Sequence, residues 1–292
     1  MPKEPKHHYI PIFYLEQWRK ADGPLIEFCR RYEGIVARPT YPAGTGYVRG
    51  LYRLPDVPAD QAEIIETKRM SSVDDRAAKA LVKMLRGTGS VDRLERHEAL
   101  GWCQFIYSLV VRNPEHLVLV RQKLRELGPE IMEELRGRYD EIRRSSDPET
   151  FDEYKENVTK SPIVVPPARV LPNLINSKRV VRVIATMKWF THTVHKAKYP
   201  LLTSDRPVVL TNGLIRPDAH IVIPMSPRIL FIAVKEEATF HKIASMSSDE
   251  LAETVHNKVA EQAHTFVYGS DDSQLRFVSN RLGKRIRSSP LG

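Results

Sequence analysis

Between Glu95 and Val111 the chain is apolar on nearly every side, with Leu100, Trp102, Phe105, Ile106, Leu109 and Val110 spread around a helical wheel. A helix of that kind is stable only where other elements cover all of it, so this segment must sit at the centre of the fold. Arg112-Asn113-Pro114 ends it, because the residue before a proline is pushed out of the helical region. A chain of 292 residues, 41% hydrophobic and 28% charged, is long enough to wrap such a helix within one domain, residues 1–292.

Three regions surround or contain that helix. Residues 1–56 form a His-His and hairpin segment, in which Leu25–Arg31 and Val48–Leu54 are expected as strands joined through the turn formers of 38–46. The glycines there do not make a nucleotide loop, since no helix follows them directly and no lysine stands at the phosphate-binding position. Residues 57–158 are helical. Leu117, Val120, Leu124, Leu127, Ile131, Leu135, Tyr139 and Ile142 recur at three- and four-residue steps, which predicts one long helix with a buried stripe. Ser145–Pro167 is expected as a partly ordered connection.

Residues 168–280 are strand-rich. A helix over Leu171–Met187 leads to strands over Trp189–Val194, Leu201–Ser204, Val208–Leu210, His220–Met225 and Ile229–Val234. Ser248 opens a further helix with Glu250 and Glu253 in its first turns, and Thr265–Tyr268 is a last strand. The basic tail, 281–292, is expected to be disordered. The class is therefore α+β: a helical core with a small, mostly antiparallel sheet formed by N- and C-terminal segments.

The formal charge is +9 and the sequence pI near 9.5. Such a balance favours nucleic acid or another phosphate-bearing polyanion as partner, although many proteins carry a similar excess without one. Cys29 and Cys103 match no metal or redox spacing and are expected as buried thiols in a reducing compartment. No apolar signal core and no bilayer-length apolar run is present, so the expectation is a cytoplasmic protein with no membrane contact. The motifs of zincins, zinc fingers, nucleophile-elbow hydrolases and Rossmann enzymes are missing.

Several short motifs recur together: His7-His8-Tyr9-Ile10-Pro11 with Phe13-Tyr14-Leu15, Arg112-Asn113-Pro114, Leu202-Thr203-Ser204-Asp205-Arg206-Pro207-Val208, Pro224-Met225-Ser226-Pro227, and Asn257 followed by Val267-Tyr268. As a set they resemble domain-of-unknown-function family 4238. The resemblance spans nearly the whole chain and marks positions without implying a reaction.

Those positions carry usable chemistry. His7 and His8 lie on an extended segment and face opposite ways, so one imidazole can serve as general base or metal ligand, unless both only pin the segment to the core. Asp205 stands where a strand ends before a proline, either presenting a carboxylate or capping the turn. Glu63 and Glu66, three apart on a helix with Asp74 and Asp75 further along, either hold a divalent cation or serve the helix dipole and solubility. The guanidinium of Arg112 is expected to emerge from the core, to grip an anion or to complete an ion pair. Asn257 either donates to a substrate oxygen or locks a loop. His97, His116, His241 and His256 stand alone and are expected at the surface.

The expectation is a pocket in which the His-His segment meets Asp205 at the edge of the C-terminal sheet, with Arg112 close by. His7, His8, Asp205 and Arg112 would be catalytic, Tyr9, Tyr14, Arg112, Ser204 and Asn257 would contact substrate, and Glu66 with Asp205 would hold a divalent metal ion. That set fits a metal-dependent nuclease or phosphodiester hydrolase. A noncatalytic nucleic-acid- or partner-binding protein is the alternative, and a small-molecule hydrolase or transferase with an anionic substrate is a third.

Overall fold

The N-terminal segment is tied down from its first strand in the computed structural model, which describes residues 4–32, 34–52, 70–87, 89–143, 147–160, 167–211 and 213–284. β1 (Lys6–His8) leads into a single helical turn, α1 (Ile12–Leu15). β2 (Leu25–Arg31) and β3 (Gly34–Thr40) make a hairpin, and β4 (Tyr47–Arg49) returns to pair antiparallel with β1. The crossing depends on Gly46, which has φ +63° and accepts the N–H groups of Tyr9 and Ile10 at 2.9 and 3.2 Å. A Cβ there would lie 3.1 Å from the Cβ of Ile10, so only glycine lets the two segments pass this closely. The turn-rich stretch 38–46 was expected to connect strands, yet its first residues extend β3. The strand expected over Val48–Leu54 ends at Arg49, and its last residues, 53 and 54, lie outside the described residues.

The helices follow as α2 (Ser71–Met84), α3 (Arg96–Val111), α4 (Pro114–Ile142), α5 (Phe151–Lys160), α6 (Pro167–Ile175) and α7 (Lys178–Ala185). α3 is the central helix that its composition demands: Trp102, Phe105, Ile106 and Leu109 are all buried, each contributing about 2 kcal/mol of burial free energy. Its start is fixed by a capping box between Glu95 and Glu98. The long helix forms, but its stripe is covered chiefly near the ends, at Leu117 and Tyr139, while Leu127 and Ile142 are exposed. The expected connection after Ser145 contains α5, whose Phe151 and Tyr154 rings pack on Tyr139. The helix expected over Leu171–Met187 is two, α6 and α7.

The strand-rich region comprises β5 (Lys188–Thr193), β6 (Thr203–Ser204), β7 (Val209–Thr211), β8 (His220–Ser226), β9 (Ile229–Val234), α8 (Glu237–Ala244), α9 (Ser248–Gln262), β10 (Phe266–Gly269) and α10 (Leu275–Ser279). The class is α+β, but among the described residues the strands form three antiparallel sheets rather than one small sheet. Among the described residues β1 and β4 make a two-stranded sheet. β3-β2-β10-β6 joins N- and C-terminal segments, and β5-β9-β8-β7 comes from the C-terminal half.

Alternation explains how the last sheet is covered on both faces. Ile221, Ile223, Phe231 and Ala233 face the helical core around α3. Val222, Leu230, Ile232 and Val234 face Leu251, Val255 and Val259 of α9. Tyr14 and Trp18 anchor the N-terminal segment into this assembly. The Tyr14 hydroxyl meets Thr203 Oγ1 and donates to the Pro224 carbonyl, both at 2.7 Å, and Trp18 Nε1 donates to the Leu201 carbonyl at 2.7 Å. Cys29 and Cys103 are buried and free. Among the described residues no helix is long and apolar enough to cross a membrane. Residues 285–292 of the expected disordered tail lie outside the described residues.

Candidate functional site

Alternation along β1 separates the two histidines. His7 turns inward and is fully buried, its ring stacked on Tyr52 at 5.4 Å between centroids and its Nδ1 accepting the Tyr52 N–H at 2.8 Å. The Tyr52 hydroxyl donates to the Arg112 carbonyl at 2.9 Å, tying β1 to the end of α3. His8 faces the other way, half-buried against Tyr47. Burial holds its pKa below the ordinary 6.5, helped by the charges of Lys6, Arg112 and His7 and opposed by a hydrogen bond to the backbone of Ala43.

Arg112 does not emerge from the core as expected; it is entirely buried. Its Nε donates to the Tyr9 carbonyl at 2.8 Å, and its Nη1 reaches both Asp74 carboxylate oxygens at 3.1 and 3.3 Å. Burial pushes the Asp74 carboxyl upward, and the guanidinium beside it pulls the other way. One atom here and one on His8 retain hydrogen-bonding capacity. Nη2 of Arg112 and Nε2 of His8 are buried and have no hydrogen-bond partner among the described residues.

Tyr9 joins this cluster to a second one. Its carbonyl receives Arg112, while its buried phenol lies in the field of Asp205, Glu115 and Glu27, which together with burial makes it very hard to ionise. Asp205 is buried where β6 ends, and its carboxylate accepts the N–H groups of His264, Thr265 and Phe266 at 2.9, 2.6 and 3.1 Å. Burial outweighs those three donors and pushes it up to about 6. Both oxygens are therefore committed to the start of β10.

The remaining expected residues are dispersed. Ser204 is fully buried, its Oγ accepting the Arg206 N–H at 3.2 Å, and the hydroxyl of Tyr14 is spent on Thr203 and Pro224. Asn257 accepts from Arg281 Nε at 2.5 Å and locks α9 to the segment after α10. Glu63 and Glu66 lie outside the described residues. Among the described residues no group of three or more His, Cys, Asp or Glu side chains is placed to hold a metal ion. The structure thus ties His7 (through Tyr52) and Tyr9 to Arg112, adds Asp74, sets His8 on the opposite side of β1 within the field of the Arg112 charge, and puts Asp205 in the neighbouring cluster.

Sequence reasoning missed several polar residues of the interior. Glu27 is fully buried, accepting from Arg38 Nε at 2.6 Å and from the Thr45 hydroxyl, which in turn meets the Tyr268 hydroxyl at 2.9 Å. Its signal was available, because strand alternation puts Glu27 on the same side as Leu25 and Cys29. His116 and His256, expected at the surface, are buried at 5% and 4% exposure. His116 shares the first turn of α4 with Glu115, which pairs with Arg206 at 3.4 Å and His264 at 3.1 Å.

No curated protein and no solved structure matches the chain. One family model does, over residues 6–273, a span that holds the His7-His8 strand, Arg112 and Asp205 alike. The chain therefore belongs to the family described as Protein of unknown function (DUF4238).

Proposed function

We propose that the chain hydrolyses phosphodiesters at the meeting point of β1, α2 and α3. The observation that carries this reading is that Nη2 of Arg112 and Nε2 of His8 are both buried without a hydrogen-bond partner among the described residues, while the Arg112 charge is near enough to act on His8. A buried guanidinium N–H without a partner costs free energy that an oxyanion would recover. Asp74 and the Tyr9 carbonyl fix the guanidinium before any substrate arrives, which is the arrangement that favours charge developing on a phosphoryl oxygen. His8, kept neutral at pH 7 by its surroundings, accepts the proton of the attacking water as the new P–O bond forms. The bond to the leaving oxygen breaks, and that oxygen takes a proton from solvent.

The net charge of +9 favours a nucleic acid over a small phosphodiester, and the two free thiols favour a cytoplasmic setting. No step is assigned to a divalent ion, since the carboxylate oxygens of Asp205 are taken up by amides.

The test is incubation of the full chain with labelled single- and double-stranded DNA and RNA, with Mg²⁺, Mn²⁺ or EDTA, beside His8→Gln. Cleavage reduced about 100-fold or more in the variant at unchanged melting temperature supports the reading. Activity should rise with pH as His8 loses its proton, with a midpoint below 6.5. Intact substrate under every condition, with salt-sensitive binding alone, favours the noncatalytic nucleic-acid-binding reading, which the charge balance also supports.

A further inference from the structure

The cluster around Arg206 opens onto a cleft that the proposed reaction at His8 does not use. The cleft encloses about 90 Å³ between the end of α3, the first turns of α4, the loop from β6 to β7 and the end of α9. Its walls are apolar, from Leu109, Val110, Leu119 and Leu210, and its polar part is Asn113, Glu115, His116, Arg206 and Gln262, of which His116 and Arg206 are the two with unpartnered nitrogens among the described residues.

Both of these side chains are incompletely used. His116 is 5% exposed and its N–H is capped by the Asn113 side chain at 2.9 Å, yet its Nε2 is buried with no hydrogen-bond partner among the described residues. The Nε of Arg206 is in the same condition, and its Nη2 has only a long, 3.4 Å contact to Glu115, whose other oxygen sits 3.1 Å from His264. The backbone beneath Arg206 is held firmly, because the Gln262 carboxamide donates to the carbonyls of Arg206 and Val208. A fixed backbone thus presents Nε–H and Nη2–H side by side, the fork that matches two oxygens of one carboxylate. The start of α4 adds its favourable dipole to the same side.

We propose that this cleft binds a small carboxylate carrying a short apolar tail, its head on the Arg206 fork and His116 Nε2 and its tail among Leu109, Val110, Leu119 and Leu210. One guanidinium already partly engaged by Glu115 suits a single negative charge better than a doubly charged phosphate. Burial and the nearby Arg206 charge keep the imidazole neutral, so it supplies a hydrogen bond and not a second cation. The site does not depend on the hydrolysis reading, and its test uses no phosphodiester.

Hexanoate, hexan-1-ol and inorganic phosphate are titrated separately into the full chain by calorimetry and by NMR of the arginine Nε–H signals. Hexanoate should bind in roughly the millimolar range, with hexan-1-ol at least about tenfold weaker. Arg206→Gln should weaken hexanoate about tenfold or more at unchanged melting temperature, and Leu119→Asp, at a half-exposed wall position, should do the same by adding a repelling charge. No hexanoate binding to the wild type at about 10 mM overturns the proposal. So does equal binding of the alcohol, binding of phosphate as tight as hexanoate, or unchanged affinity in both variants.

Discussion

Asp205 shows how a residue that looks reactive in sequence can be structural in the fold. Three N–H groups converge on its carboxylate, so it holds the turn into β10 in place, and what remains unusual is its protonation. The folded carboxyl keeps its proton up to about 6, whereas an unfolded one releases it near 3.8. Between those values the unfolded chain binds fewer protons, so this group's contribution to stability falls as pH rises through the window, by roughly 3 kcal/mol in all. Urea unfolding at about pH 4.5, 5.5 and 6.5 should show the wild type losing ground against Asp205→Asn across the series, and parallel curves would refute the assignment. His116 and Arg112 show the opposite difficulty. Nothing in their sequence neighbourhood marks them as buried, because what covers them arrives from β1, α2 and the β6–β7 loop, and tertiary cover leaves no periodic trace.

At the scale of elements, legibility follows the strength of the local pattern. β2 and β9 run over the residues expected of them, bounded by turn formers, and α3 over the apolar run, since a continuous hydrophobic signal admits few alternatives. α5 was hidden between Ser-Ser-Asp-Pro and Val-Val-Pro-Pro, whose turn residues dominate the window. The break between α6 and α7 falls at Asn176 and Ser177, residues that favour helix ends but whose signal is outweighed by the apolar periodicity on both sides. The contact between α2 and α3 depends on one position. A Cβ at Gly101 would collide with the Cβ of Arg76 and lie 3.3 Å from its carbonyl carbon. Gly101→Ala gains about 1 kcal/mol of helix propensity but must push the two helices apart, for a net loss of about 2 kcal/mol in chemical denaturation. The shift should extend to α6, because Arg76 bonds Gln104 at 3.0 Å and Gln104 bonds Asn176 at 2.5 Å.

At the scale of the whole molecule, charge and topology set what can be measured. With a net charge of +9, binding to DNA or RNA should weaken linearly on a log–log plot against salt, with a slope of about −0.9 per duplex phosphate neutralised. A fluorescence anisotropy series from low to physiological salt reads that slope, and a flat line would remove the polyanion from consideration under either functional reading. Topology bears on biogenesis. Tyr14 and Trp18 leave the ribosome early, but Thr203, Pro224 and Leu201, which receive their hydrogen bonds, follow 183 to 210 residues later. At translation speeds of about 5–20 residues per second, those two rings wait on the order of 10–40 s before the native seat for them exists. During that interval the nascent chain can seat Phe13 and Tyr14 only against Phe105, with the polar atoms of Tyr14 and Trp18 still unpaired, so a holding chaperone is expected to raise its yield in a cell.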